Sequence, residues 1–422
     1  MRYLFWIAGV TALYIGNISA WAITLDQAWD RIKKSNPTVS SAQASVGAAQ
    51  GQQTQAGLIP NPTFNTVQGS IPGFGAYSNN PNAQSTYSIS QVIELGGKRS
   101  GRQSVADAQF DQARINYQIN NTELFSQVVD GFLNVAEAEE KLRLNSRGVN
   151  LNKKTVSTIK HRIDAGRTSE LDLQAAKISL SNSYFEKATI KSELASAKYS
   201  LARLWNGSES DINKIITPSV KEMPLNDLSY YLAKVSKNWH LQSSSQTEKI
   251  AQAELRLADA KKYPDITVGV GIDHYFQNSD PKGHNAVMGE LSVPIPIFDR
   301  NQGNIVTAHE NYNKSLYETR NKELLLKKAI VNTYQVALQA RNQMSILKTA
   351  VLPQSRNSLE LAKVGYERGK YSYLDLLNAQ QKLIDAQMRE ISAIFLYRRA
   401  WFTLQILIGN LPITDDSCKE RL

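Results

Sequence analysis

Gly166-Arg167-Thr168-Ser169-Glu170-Leu171-Asp172-Leu173 and Gly369-Lys370-Tyr371-Ser372-Tyr373-Leu374-Asp375-Leu376 stand 203 positions apart and agree at Gly, Ser and Leu-Asp-Leu. Each stretch ends a seven-residue apolar series. The first runs Val128, Val135, Leu142, Val149, Val156, Ile163; the same offset gives Val331, Leu338, Ser345, Leu352, Leu359, Tyr366. Two unrelated amphipathic helices would not also align the turn that follows them, so the chain is an internal duplication. A sustained heptad predicts coiled-coil pairing.

Upstream of these helices, each half reads as a shorter helix and a strand pair. Residues 25–58 are expected to be helical and to stop at Pro60-Asn61-Pro62, because proline cannot donate a helix bond and restricts its predecessor. Strands are expected near 63–69 and 86–93, around a Gly/Pro/Asn-rich loop at 70–85, and near 265–273 and 287–295, around a loop at 274–286. No proline interrupts 98–165, and only Pro353 interrupts 304–369. At 1.5 Å per residue such a run is about 100 Å long, more than a globular core requires. The expected organisation is a signal peptide at 1–22, a first repeat at 23–207, an equatorial linker at 208–226, a second repeat at 227–410 and a tail at 411–422.

The N-terminus constrains location. Arg2, an apolar stretch over 3–15 and Ala20-Trp21-Ala22 read as an export signal with a small-x-small cleavage site. The chain has one cysteine, Cys418, so neither a disulfide framework nor an N-terminal lipid anchor is expected. The remaining way to span a membrane is a closed β-barrel. Four strands cannot close one; three copies would supply twelve. The formal net charge of +10 is interspersed, with no basic run, and no nucleic-acid partner is expected.

At the strand-to-helix junctions stand Glu94-Leu95-Gly96-Gly97-Lys98-Arg99 and Pro294-Ile295-Pro296-Ile297-Phe298-Asp299-Arg300-Asn301-Gln302-Gly303. The first is no phosphate loop: P-loop spacing is absent, and Arg99 stands where Ser or Thr would follow the lysine. With these junctions, nearly the whole exported chain resembles the TolC family of outer-membrane efflux proteins, and within it the CzcC/CusC-type heavy-metal branch. That resemblance implies a mainly α fold with a small β part: a homotrimer with a twelve-stranded barrel and a coiled-coil periplasmic tunnel. It also implies an outer-membrane exit duct for heavy-metal cations, partnered by a periplasmic adaptor and an inner-membrane RND-type pump, with no enzymatic activity and no cofactor. Organic-toxicant efflux or type I secretion through the same channel stays open. So does a non-pore periplasmic coiled-coil adaptor, which would be soluble.

The resemblance also assigns candidate residues. The turns Gly166, Arg167, Thr168, Ser169 and Gly369, Lys370, Tyr371, Ser372 would form the periplasmic tip that meets the adaptor. The family's closing Tyr–Asp hydrogen bond matches Tyr366 and Asp172. Asp375 matches an aspartate ring, while the second aspartate position is Asn378 and a closure arginine is replaced by Tyr371. A closed state held differently is therefore expected. Both glycines can also be plain helix C-caps, and Asp172 and Asp375 can equally complement a helix dipole. His274 and His284 share the expected loop at 274–286, with too few further ligands for a metal site.

Overall fold

The computed structural model describes residues 23–69, 83–277 and 280–411; the expected export signal and Cys418 lie outside them. The elements follow twice in one order. The first half has helices α1 (Leu25–Ser35) and α2 (Pro37–Ala56), strands β1 (Thr63–Gly69) and β2 (Ala83–Ile93), then helices α3 (Lys98–Asp164) and α4 (Glu170–Arg203). The second has α5 (Leu228–Ala233), α6 (Trp239–Ala260), β3 (Ile266–Gln277), β4 (Asp280–Ser292), α7 (Gln302–Ile346), α8 (Leu352–Glu367) and α9 (Tyr373–Leu407).

Several boundaries differ from the sequence expectation. The helix expected over 25–58 is broken at Asn36, which adopts an extended conformation before Pro37 and caps α2 through Thr38 N–H. Asn36 Nδ2 donates to Leu204 O at 2.7 Å; in the second half Asn238 caps α6 and donates to Leu407 O at 3.0 Å. Pro353 does not end its helix. A π-helical turn, Leu347–Val351, precedes α8 and absorbs the missing donor and the ring clash.

The largest correction concerns the loop expected at 274–286. Strands β3 and β4 continue through it, pairing His274 with Asn285 and Tyr275 with His284, with an irregularity between Tyr275 and Gln277. Its polar, Gly-containing composition reads as loop chemistry, but one face of such a hairpin need not be apolar. Conversely, β4 stops at Ser292, leaving 293–295 unpaired within the chain.

All four strands form one antiparallel sheet in the order β1-β2-β3-β4. Adding 203 to Phe64↔Ile89 gives Thr267↔Ser292, a pair that is also observed but lies on the opposite face of the sheet. Basic side chains at the β2–α3 junction fix the strand-to-helix bend. Lys98 Nζ lies 2.6 Å from Asp265, which also accepts Leu95 N–H; Arg102 forks onto Glu94, and Arg99 donates to Gly57 O.

The main core lies at mid-height, where the middle of α3 (Phe125, Val128, Phe132, Val135) meets α1 and the end of α9. Trp29 sits edge-on to Phe125, with ring centroids 5.4 Å apart. Here Tyr397, Arg398 and Trp401 of α9 donate to the carbonyls of Met223, Pro218 and Pro224, strapping the connection between the repeats across the helices.

Candidate functional site

Two regions bear on function, the far end of the helices and the sheet. The first turn begins as a Schellman motif: Arg167 N–H donates to Arg162 O and Gly166 N–H to Ile163 O, both at 2.8 Å. The second repeats it, with Lys370 N–H on Gly365 O at 2.8 Å and Gly369 N–H on Tyr366 O at 3.1 Å. Gly166 and Gly369 have φ of +69° and +72°, the left-handed region that favours glycine.

Reciprocal caps then start the return helices. Asp172 N–H donates to Ser169 Oγ and Asp375 N–H to Ser372 Oγ, both at 3.2 Å, while each aspartate accepts from its serine's backbone N–H. Both aspartates thus serve helix initiation. Hydrogen bonds from the Ser372 hydroxyl and backbone hold Asp375 below the usual carboxylate range. The half-buried Asp172 also accepts from Thr168 Oγ1 at 2.6 Å. Arg167, Ser169, Lys370, Tyr371 and Ser372 are exposed on the tip, as is Asn378 one turn into α9.

Behind the turns, one apolar cluster joins the ends of all four helices: Ile159, Leu173, Ala176, Ala362, Tyr366, Tyr373, Leu376 and Ala379. The rings of Tyr366 and Tyr373 meet edge-on at 6.1 Å. Burial, reinforced by Tyr366 and the Asp172 charge, pushes the Tyr373 hydroxyl up to about 12. The Arg162 guanidinium lies 4.4 Å from the Tyr366 ring centroid. Tyr366 Oη and Arg162 Nε are buried and have no hydrogen-bond partner among the described residues. The structure brings Tyr366 and Asp172 into one neighbourhood, but Asp172 is engaged by Thr168 and Ser169.

Sequence reasoning missed three of these residues. Arg162 and Tyr373 carried no motif. Gly365 is buried under the ring of Tyr371, which occupies the space a Cβ would need. The signal was present in the duplication, since Gly365 replaces Arg162 and Tyr371 replaces Thr168 at the 203 offset. Beside the tip, α3, α4 and α9 border an open groove of about 760 Å³ lined by Asn145, Asn152, Asn182, Asn378, Gln381 and Asp385.

The sheet has two chemically distinct faces. Register places Phe64, Tyr87, Ile89, Ile93, Val268, Val270, Ile272, Val287 and Leu291 on one face, and all are exposed. Asn65, Thr86, Ser88, Ser90, Thr267, Asp273, His284 and Glu290 share the other. Such alternation suits a wall between lipid and water. His274 and His284, with directly opposed partners one residue out of step, fall on opposite faces and do not converge. Among the described residues no group of three or more His, Cys, Asp or Glu could hold a metal ion. None of the described helices is long and apolar enough to cross a membrane.

Comparison with known proteins places this architecture. The model for the outer membrane efflux protein family matches residues 28–207 and 235–410. The chain is 28% identical to the cobalt-zinc-cadmium resistance protein CzcC of Cupriavidus metallidurans, over 93% of this chain and 91% of that one. It is 26% identical to the nickel-cobalt-cadmium resistance protein NccC of Alcaligenes xylosoxydans xylosoxydans, over 64% and 60%. The crystal structure of the outer membrane protein VceC from Vibrio cholerae superposes with a TM-score of 0.76 at 16% identity, covering 92% of this chain and 96% of that one.

Proposed function

We propose a cargo and a mechanism on one premise: the chain belongs to the outer membrane efflux protein family. It is an outer-membrane efflux channel that extends into the periplasm, and its cargo is heavy-metal cations such as cobalt, zinc, cadmium or copper and silver. The observation that carries the cargo is the similarity to CzcC along almost the whole of both chains. The family's members are outer-membrane efflux channels.

The duct forms when three copies close their sheets into a twelve-stranded barrel. Supporting this are the unpaired outer edges of β1 and β4 and the apolar outer face, which would sit in outer-membrane lipid. Below it, repeats 23–207 and 227–410, joined by the linker 208–226, contribute helices about 100 Å long to a periplasmic tunnel. Exposed Leu171, Ile178, Phe185 and Tyr199 recur at multiples of seven on α4, a seam with no partner within the chain among the described residues.

The tip turns 166–169 and 369–372, with the polar groove that includes Asn378, present the surface for a periplasmic adaptor that connects to an RND-type pump. Asp172, Tyr366, Asp375 and Asn378 form the gate, and adaptor binding loosens the tip helices. The test is metal tolerance of a deletion strain against cobalt, zinc, cadmium, copper, silver and a panel of organic toxicants. Sensitivity confined to metals supports the cargo; sensitivity confined to organic compounds overturns it and leaves the channel.

A further inference from the structure

Side chains tie the four junctions between strands and helices to one another. Arg99 Nε donates to Gly57 O and Arg102 to Leu58 O, joining the end of α2 to the start of α3. Asp265 accepts from Leu95 N–H and Lys98, joining that junction to the start of β3. Asn301 Nδ2 donates to Ala258 O at 2.7 Å, joining the end of α6 to the start of α7. The base of the sheet is therefore one continuous rim, crossed by every segment that passes between sheet and helices.

Two kinds of exposed side chain stand on this rim. Leu58, Ile59, Tyr263, Ile297 and Phe298 are apolar or aromatic, Phe298 being 90% exposed. Arg99, Lys261, Lys262 and Arg300 are exposed cations set among them. The acidic groups of the rim are already engaged. Glu94 is held by Arg102, Asp265 by Lys98 and Asp299 by the backbone N–H of Asn301, while Asp259 lies 3.9 Å from Lys262. Arg99, Lys261 and Arg300 have no acidic partner among the described residues. The sheet face that carries Phe64, Ile89 and Val270 has no lysine or arginine, so positive charge begins where that face ends.

We infer that, with the apolar sheet face in lipid as proposed above, this rim binds the anionic headgroups of phospholipids. The apolar face runs without a break into the rim, since Leu291 is followed by exposed Val293, Ile295, Ile297 and Phe298. Its end lies at the headgroup layer, where aromatic rings settle and the apolar stems of Lys and Arg lie along lipid while their charges reach water. Two rim cations are placed in that way. Lys262 Nζ is 5.4 Å from the Tyr263 ring centroid, and Arg99 is fixed beside exposed Leu58 by its bond to Gly57 O. Cations without acidic partners complement an anionic headgroup better than a zwitterionic one, whose own ammonium competes for the phosphate.

The test is lipid retention by the full chain in detergent, offered equimolar phosphatidylglycerol and phosphatidylethanolamine and read by native mass spectrometry. A preference for phosphatidylglycerol of about tenfold or more is expected, because each basic side chain near an anionic surface contributes roughly fivefold. Arg99→Gln/Lys261→Gln/Arg300→Gln should bring the ratio close to one. Lys261→Gln/Arg300→Gln spares the Arg99 bond to Gly57 and should still lower it, which separates lost binding from misfolding. Lys154→Gln/Lys160→Gln/Lys177→Gln makes the same charge change far from the sheet and should leave the ratio unchanged. Equal retention of both lipids by the parent, or a preference that survives the triple rim variant, overturns the inference. Equal loss in the distant variant also overturns it, by assigning the preference to net charge. Displacement of phosphatidylglycerol by excess inorganic phosphate overturns it as well, by marking a bare anion site. Lipid retained without preference leaves the lipid-facing sheet standing, whereas recovery of the chain as a monodisperse protein without detergent overturns both readings.

Discussion

Arg162, in the last turns of the first long helix, lays its guanidinium over the ring of Tyr366 from the second, 4.4 Å from the centroid. The contact ties the two halves of the duplication together at the tip, where the proposed gate must open. Each residue buries a polar atom with no partner among the described residues, Arg162 Nε and Tyr366 Oη. An unsatisfied buried donor costs about 1–3 kcal/mol.

If a neighbouring subunit satisfies the Tyr366 hydroxyl in the closed trimer, Tyr366→Phe removes a closing bond without disturbing the ring stack. The expected outcome is a higher single-channel conductance in planar bilayers, greater still with Asp172→Ala. Unchanged conductance would leave Tyr366 as a packing residue and Asp172 as a helix cap.

Gly365→Ala places a methyl group where the Tyr371 ring lies. Overpacking of this kind costs about 1–3 kcal/mol. Faster amide exchange over 362–373 is expected, with recovery in Gly365→Ala/Tyr371→Ala. A double variant as labile as the single one would show that the ring is not the obstacle.

Tyr373 gives the tip an alkaline limit. Its hydroxyl is raised to about 12 in the folded chain, above its ordinary 10.0. The folded state therefore holds the proton more tightly than the unfolded state. The resulting stabilisation is fully present below pH 10 and is lost as pH rises toward 12, about 2–3 kcal/mol in all. Denaturation of the tip followed between pH 9 and 12 should show this decline, and Tyr373→Phe should remove it. A decline that persists in Tyr373→Phe would assign it to another group.

Lys98→Met removes the partner of Asp265 at the strand-to-helix bend while keeping the aliphatic stem. Lys98 is largely buried and Asp265 half-buried, so a loss of about 1–2 kcal/mol is expected, less than for a fully enclosed pair. Asp265→Asn with Lys98→Met should recover part of it. Thermal unfolding in detergent measures both; equal stability of Lys98→Met and the parent would remove the ion pair from the account of the bend.

Local periodicity made much of this legible. The seven-residue series and the repeated Gly-x-x-Ser-x-Leu-Asp-Leu turn located the long helices, their ends and the duplication, because helix pitch, left-handed caps and capping serines are properties of short segments. Strand extents were less legible. His274 to Gln277 and Asp280 to Ala286 carry loop-like residues, and only pairing with a neighbouring strand makes them β.

The sequence by itself thus determined that two copies of one helical hairpin stand on strand pairs, since every signal involved lies within a few turns of chain. The tertiary structure alone decided the contacts between segments distant in the chain. These are Arg162 on Tyr366, the strap carbonyls on α9, and the sheet register that sorts apolar from polar faces. They join residues up to 204 positions apart, and no local pattern specifies which side chains a packed interface brings together.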